Sequence, residues 1–152
     1  MTKKSPFELN SIQYLRIRDL AFNYEAPDSI LSFEPEPETI HFHLDIVKTV
    51  SMEQQLIRIV FTVHLRTEAD QEKEVICLYS TEHVFKISHF KDLVKATQGL
   101  IGIEHRLDDI LTALAYSTIR GLLCQKLNGT SFSKFILPVA DPADLGSVDS
   151  SV

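Results

Sequence analysis

Ile57-Arg58-Ile59-Val60-Phe61-Thr62-Val63-His64-Leu65-Arg66 is the stretch that fixes the fold class. Ile57, Ile59, Phe61, Val63 and Leu65 recur at every second position, with Arg58, Thr62, His64 and Arg66 opposite. Successive side chains of a strand point to opposite faces, so the pattern predicts a strand with one face in the core and one in solvent. Upstream, Ile40, Phe42, Leu44 and Ile46 repeat it against His41, His43 and Asp45. Downstream, the polar run Thr67 to Glu74 precedes the apolar Val75-Ile76-Cys77-Leu78-Tyr79, which reads as a hairpin with a solvated tip.

Working outward, Phe7 to Tyr24 is rich in β-branched and aromatic residues, but its apolar positions change parity: Phe7 and Leu9, then Ile12 and Tyr14, then Ile17, then Leu20, Phe22 and Tyr24. A long strand interrupted by bulges produces that pattern. Residues 25–38 hold three prolines, Pro27, Pro35 and Pro37, and read as a long loop. The loop carries Ile30, Leu31 and Phe33, which a solvated linker does not need, so it reads as a crossover that packs on something.

After Phe90 the period changes. Leu93, Val94 and Leu100 predict a short helix closed near Gly99, and Gly99-Leu100-Ile101-Gly102 breaks the chain. Three- and four-residue spacing from Ile103 through Leu107, Leu111, Ala115 and Ile119 to Leu123 predicts the longest helix, with Asp108 and Asp109 near its start and Asn128-Gly129 as its stop. Pro138 and Pro142 are expected to keep the remaining C-terminal segment non-helical. Strands first and helices second predict an α+β fold with a segregated antiparallel sheet rather than alternating βαβ units. One domain is expected over residues 1–145, followed by a flexible C-terminal tail at 146–152.

The 152 residues suffice for one core. An apolar share of 44% and a mean hydropathy of +0.01 exclude wholesale disorder and a membrane bundle. Fifteen lysines and arginines against 21 carboxylates give a formal charge of −6, the wrong sign for a general nucleic-acid binder. Met1-Thr2-Lys3-Lys4-Ser5-Pro6-Phe7 does not read as a secretory signal, and Cys77 and Cys124 form no disulfide framework, so a cytoplasmic protein with reduced thiols is expected.

Motifs for catalysis are few. None of the five glycines precedes a lysine, so the phosphate-binding loop of nucleotide hydrolases is missing. Cys124 falls on the apolar side of the long helix and reads as a buried thiol. His41 and His43 share one strand face, a spacing zinc sites use, but more ligands are needed, and the pair reads first as part of a solvated face. Gly99 and Gly102 match the spacing of the GXXG loop of nucleic-acid-binding KH domains, yet Leu100 and Ile101 stand between them without a basic partner. From Leu20 to Val47 the chain holds six carboxylates and no lysine or arginine, with Tyr24, Phe33 and Phe42 in or beside the stretch. This is either a loop kept soluble by charge or a docking face for a basic partner.

These residues, taken in order, resemble the SecB protein-export chaperones over Phe7 to Leu145. Ile17-Arg18-Asp19-Leu20-Ala21-Phe22 followed by Glu25-Ala26-Pro27 is similar to the end of that family's first strand, with two residues inserted. Ile76-Cys77 and Val84-Phe85-Lys86-Ile87 are similar to its fourth strand. Asn128-Gly129-Thr130 and Ile136-Leu137-Pro138-Val139, within Arg120-Gly121 to Pro142, stand where the family has its segments after the long helix. The resemblance implies a four-stranded antiparallel sheet with helices packed on one face, assembled as a dimer of dimers. It implies an ATP-independent holdase for unfolded or precursor polypeptides, with client grooves that map onto Tyr24, Ile30, Leu31, Phe33, Phe42, Leu44 and Leu122. It also implies docking of the preprotein translocase ATPase on an acidic sheet face, where Asp19 and Glu25 match and Leu78 replaces a glutamate.

Three readings from different classes stay open. The first is a holdase supporting export, with no cofactor, no metal and no catalytic residue. The alternative is a SecB-like chaperone or peptide-binding module dedicated to one partner, such as an antitoxin or a stress protein. A metal or small-molecule site on His41 and His43 is a third. A homo-oligomer is expected, because the bulged strand and two helices leave more apolar surface than one sheet face covers. Neither nucleic-acid binding nor membrane insertion is expected.

Overall fold

The computed structural model describes residues 8–26, 35–70 and 73–145. A 3-10 turn at Leu9–Ser11 leads into β1 (Ile12–Glu25), and after the crossover a second such turn at Pro37–Thr39 leads into β2 (His41–Ser51). β3 (Leu56–Asp70) and β4 (Lys73–Ile87) complete the sheet. The short helix α1 (Phe90–Leu93) and the hairpin β5 (Val94–Thr97) and β6 (Leu100–Ile103) precede the long helix α2 (His105–Lys126), and α3 (Pro142–Leu145) follows it. The main sheet is antiparallel with order β1-β4-β3-β2, so the fold is α+β with helices on one face, as the alternation required.

β1 carries register shifts between Tyr14 and Arg16 and between Asp19 and Ala21, which leave Leu15 and Leu20 as the bulged residues. Each extra residue reverses the parity. Ile12, Tyr14, Ile17, Asp19, Phe22 and Tyr24 therefore all lie opposite the inward residues of β4, from Ile87 to Cys77. Ile57, Ile59, Phe61, Val63 and Leu65 are buried against Leu107, Leu111, Ala115, Ile119 and Leu123 of α2. Each such side chain contributes roughly 1.5–3 kcal/mol by leaving water.

α2 spans about 33 Å at 1.5 Å per residue, more than twice the roughly 14 Å between the edge strands. Ion pairs fix both its ends: Lys48 Nζ of β2 meets Asp108 Oδ1 at 2.8 Å, and Lys126 Nζ meets Asp19 Oδ2 of β1 at 2.8 Å. Between them Tyr116 packs over Phe61 with ring centroids 6.0 Å apart. Glu104 caps the helix by accepting the Leu107 N–H, and Gly129 beyond its end sits at φ +80°.

Four local expectations are corrected. The polar run Thr67 to Glu74 is not all tip: β3 continues to Asp70 and β4 resumes at Lys73, because the backbone ladder pairs regardless of side-chain polarity. The helix after Phe90 ends at Leu93. Val94 starts a hairpin whose turn residues Gln98 and Gly99 have φ of 51° and 78°, the left-handed pair a tight hairpin needs. Pro142 opens α3, where its missing N–H leaves no bond unmade and Asp141 Oδ1 accepts the Ala143 N–H. Cys124 is half-buried, not sealed, while Cys77 is fully buried and its thiol is pushed up to about 11 by desolvation.

Candidate peptide-binding surface

The crossover leaves the end of β1 and returns at the start of β2, on the opposite edge of the sheet. At that end Tyr24 pairs with Cys77, Cys77 with Leu65, and Leu65 with Phe42, so Tyr24 and Phe42 close the two ends of one cross-strand row on the helix side. Phe22, Tyr79, Val63 and Leu44 form the next row. Sequence periodicity alone places Phe42 and Leu44 on one face; the strand order brings Tyr24 to them.

The segment after α2 covers the end row. Phe132 meets Tyr24 edge-on with centroids 6.2 Å apart, and Phe135 lies 5.9 Å from Phe42. The Tyr24 hydroxyl donates to Ser131 Oγ at 2.8 Å and accepts the Ser131 N–H at 3.0 Å. Two bonds tie the segment to α2: Tyr116 O–H donates to the Pro138 carbonyl and Arg120 Nε to that of Leu137. Phe135 and Leu137 point inward, whereas Ile136 is 62% and Val139 84% exposed. Phe42 remains 44% exposed in spite of its aromatic neighbour.

The expected client residues thus divide. Tyr24 is half-buried and Phe42 exposed at the two ends of the row, Leu44 is buried beside it, and Leu122 is half-buried against the core. Ile30, Leu31 and Phe33 lie outside the described residues. The flanks of their segment turn inward: Ala26 packs on the core, and Pro35 and Ile40 are buried. Phe132 and Phe135, which roof the row, are not among the residues that the sequence marks for the site; their spacing after Asn128-Gly129 is the available signal.

A second exposed apolar area lies at the β1 edge. Ile17 and Phe22 on the helix side and the bulged Leu15 and Leu20 are all open to solvent. Among the described residues β1 pairs only with β4, so its other edge is open along the fourteen-residue strand.

Asp19 and Glu25 do not form one surface. The bulge at Leu20 turns Asp19 to the helix side, where Tyr79 O–H donates to it at 2.5 Å and Lys126 takes its other oxygen. The hydrogen bond from Lys126 comes first in holding this carboxyl below its usual range, and burial with the Asp19 charge pushes the Tyr79 phenol up. Glu25 points to the outer face, bonded to Asn23.

On that outer face His43 and His64 share Asp45, with Nε2 to oxygen distances of 2.9 and 3.0 Å. Among the described residues no group of three or more His, Cys, Asp and Glu is arranged to hold a metal ion. No helix among them is long and apolar enough to cross a membrane.

No protein-family model and no curated protein sequence matches the chain. Among solved structures it is similar to the SecB-like chaperone Rv1957 of Mycobacterium tuberculosis, determined in complex with a ChAD peptide from the Rv1956 HigA1 antitoxin. The TM-score is 0.55 at 14% identity, covering 86% of this chain and 92% of that one. A Streptococcus agalactiae protein of unknown function aligns with TM-score 0.36 and 9% identity over 85% of this chain and 96% of that one. At such identities the first likeness is one of fold, and the chain has a SecB-like fold.

Proposed function

We propose that the protein is an ATP-independent chaperone that holds exposed apolar and aromatic segments of non-native polypeptides, acting in the cytoplasm and without catalysis. One observation carries the reading. The crossover with Ile30, Leu31 and Phe33 joins the two ends of a cross-strand row in which Phe42 stays 44% exposed, and Ile136 and Val139 of the segment after α2 are exposed as well. Apolar side chains so placed gain free energy only when something else desolvates them. A SecB-like fold whose structural neighbour was solved with an antitoxin peptide supports the same reading. The test is refolding of a slow-folding client at near-stoichiometric chaperone, where delayed recovery is expected and unchanged recovery at every ratio would overturn the proposal.

A second reading, a chaperone dedicated to one partner rather than to export, is favoured by the outer sheet face. Leu78 stands where the export family has a glutamate, and Asp19 is turned away from Glu25 and engaged by Lys126 and Tyr79. Tight binding of one disordered tail with indifference to generic unfolded chains separates the two. For either role we propose self-association along the open β1 edge, which light scattering at micromolar concentration tests; monomer alone would count against it.

A further inference from the structure

The outer face of the sheet is ordered by its register. Arg58, Val84 and Arg16 form one cross-strand row; Val47, Val60, Glu82 and Arg18 form the next. Lys86 lies one row beyond the first, between Leu56 and Gln13. Glu82 is 2% exposed although it faces outward, because three arginines close over it. Arg58 Nε donates to Oε1 at 2.5 Å, and Oε2 lies 3.1 Å from an Nη2 of both Arg16 and Arg18, without a well-aligned hydrogen bond. The hydrogen bond from Arg58 comes first in keeping the Glu82 carboxyl below its ordinary range, so it stays charged.

We propose that this end of the outer face docks an acidic segment of a partner polypeptide, with Arg16, Arg18, Arg58 and Lys86 as the receiving cations. One carboxylate does not balance three guanidiniums gathered on it. Arg16 and Arg18 keep 54% and 53% of their side chains in solvent, and Lys86 is exposed. Each guanidinium has five N–H donors in a fixed fork, and Glu82 engages only some of them. Glu82 also holds the arginines in place, so less side-chain entropy is lost when a second anion arrives.

The arrangement favours a carboxylate-rich peptide over nucleic acid. A phosphate backbone needs a continuous track of cations, and here Asp45 and Glu25 follow within the same face, on a chain of formal charge −6. Val47 and Val60, in the row of Glu82, add an apolar flank that a peptide side chain can cover. The surface lies on the opposite side of the sheet from Phe42 and Tyr24, so the inference does not depend on the client reading.

The test is fluorescence anisotropy on the full chain with a labelled peptide alternating glutamate and serine around one leucine, its lysine counterpart, and a single-stranded oligonucleotide of equal charge. Binding of the glutamate peptide that weakens with salt is expected, with a loss of about tenfold in Arg16→Gln/Arg18→Gln. Because that variant uncovers Glu82, Lys86→Gln, an exposed position outside the Glu82 ion pairs, carries the same test with a loss of about threefold. Arg66→Gln, at the other end of the face, should bind as the parent does. Absence of glutamate-peptide binding at low salt, undiminished binding by Lys86→Gln, or tighter binding of the oligonucleotide would overturn the proposal.

Discussion

Acidification should weaken this fold before its carboxylates protonate, and His83 is the cause. The imidazole is fully buried on the helix side of β4. Tyr14 O–H meets Nδ1 at 2.5 Å, Thr81 Oγ1 meets Nε2 at 2.8 Å, and Phe61 stands edge-on to the ring. Burial pushes its pKa from the ordinary 6.5 to about 4, against the opposing pull of the Glu82 charge. Tyr14, the other titratable group in contact, is pushed up by burial and stays neutral. Between those two values the unfolded chain binds a proton that the folded chain refuses. The stabilisation is therefore complete above pH 6.5 and is lost as pH falls towards about 4. At about 1.4 kcal/mol per pKa unit the full window is worth about 3 kcal/mol, a large part of a typical domain's stability. Asp19 and Glu82, whose pKa values are lowered, withdraw their contributions only in the more acid range. Urea unfolding at fixed protein concentration should show about 2 kcal/mol less stability near pH 5 than near pH 7.5. His83→Gln should be less stable near neutrality, and the difference from wild type should shrink on acidification. Equal wild-type stability at the two pH values, or a native His83 resonance titrating near its ordinary value, would refute the reasoning.

Other perturbations separate surface from core. Phe42→Ala should cost less than about 1 kcal/mol in chemical denaturation yet weaken client holding, whereas Leu44→Ala, two residues on and buried, should cost about 2–5 kcal/mol. Tyr24→Phe removes both hydrogen bonds to Ser131 and should cost about 1–3 kcal/mol, seen as a lower melting temperature. Iodoacetamide should alkylate Cys124 in the native protein and spare Cys77 until unfolding, as mass spectrometry of the digested protein would show.

Periodicity carries most of the sheet and one face of the site. The alternation at Ile57 to Leu65 and Ile40 to Ile46 marks β3 and β2, and the parity changes of β1 announce its bulges, because an unpaired residue flips every side chain after it. The hairpin β5–β6 is not legible in this way. Four residues are too few to show a period, and its signal is the Gln98-Gly99 turn rather than Val94 or Leu100. Tyr24 and Phe42 are legible singly, but their shared row depends on β4 and β3 lying between β1 and β2, which no local pattern encodes. The arginines around Glu82 come from β1 and β3. In the sequence they are unremarkable charges on polar strand faces.

The order β1-β4-β3-β2 also explains why a binding surface belongs at this end of the molecule. A connection from β1 to β2 must pass two intervening strands, a distance of about 14 Å that no tight turn spans. The sequence of that connection holds prolines at three positions, none of which can donate to a ladder. Ile30, Leu31 and Phe33 are then expected either to cover the end row or to meet a foreign chain. The row already has a roof, since Phe132 and Phe135 lie on Tyr24 and Phe42 from within the same chain. A crossover serving only to seal the core would find the place over Tyr24 already taken by Phe132, while Phe42 at the other end of the row stays open. That competition is why Ile30→Ser/Phe33→Ser should leave thermal stability within about 1 kcal/mol of wild type while abolishing client holding. A loss of several kcal/mol would instead place these side chains in the protein's own interior and remove the main support for the chaperone reading.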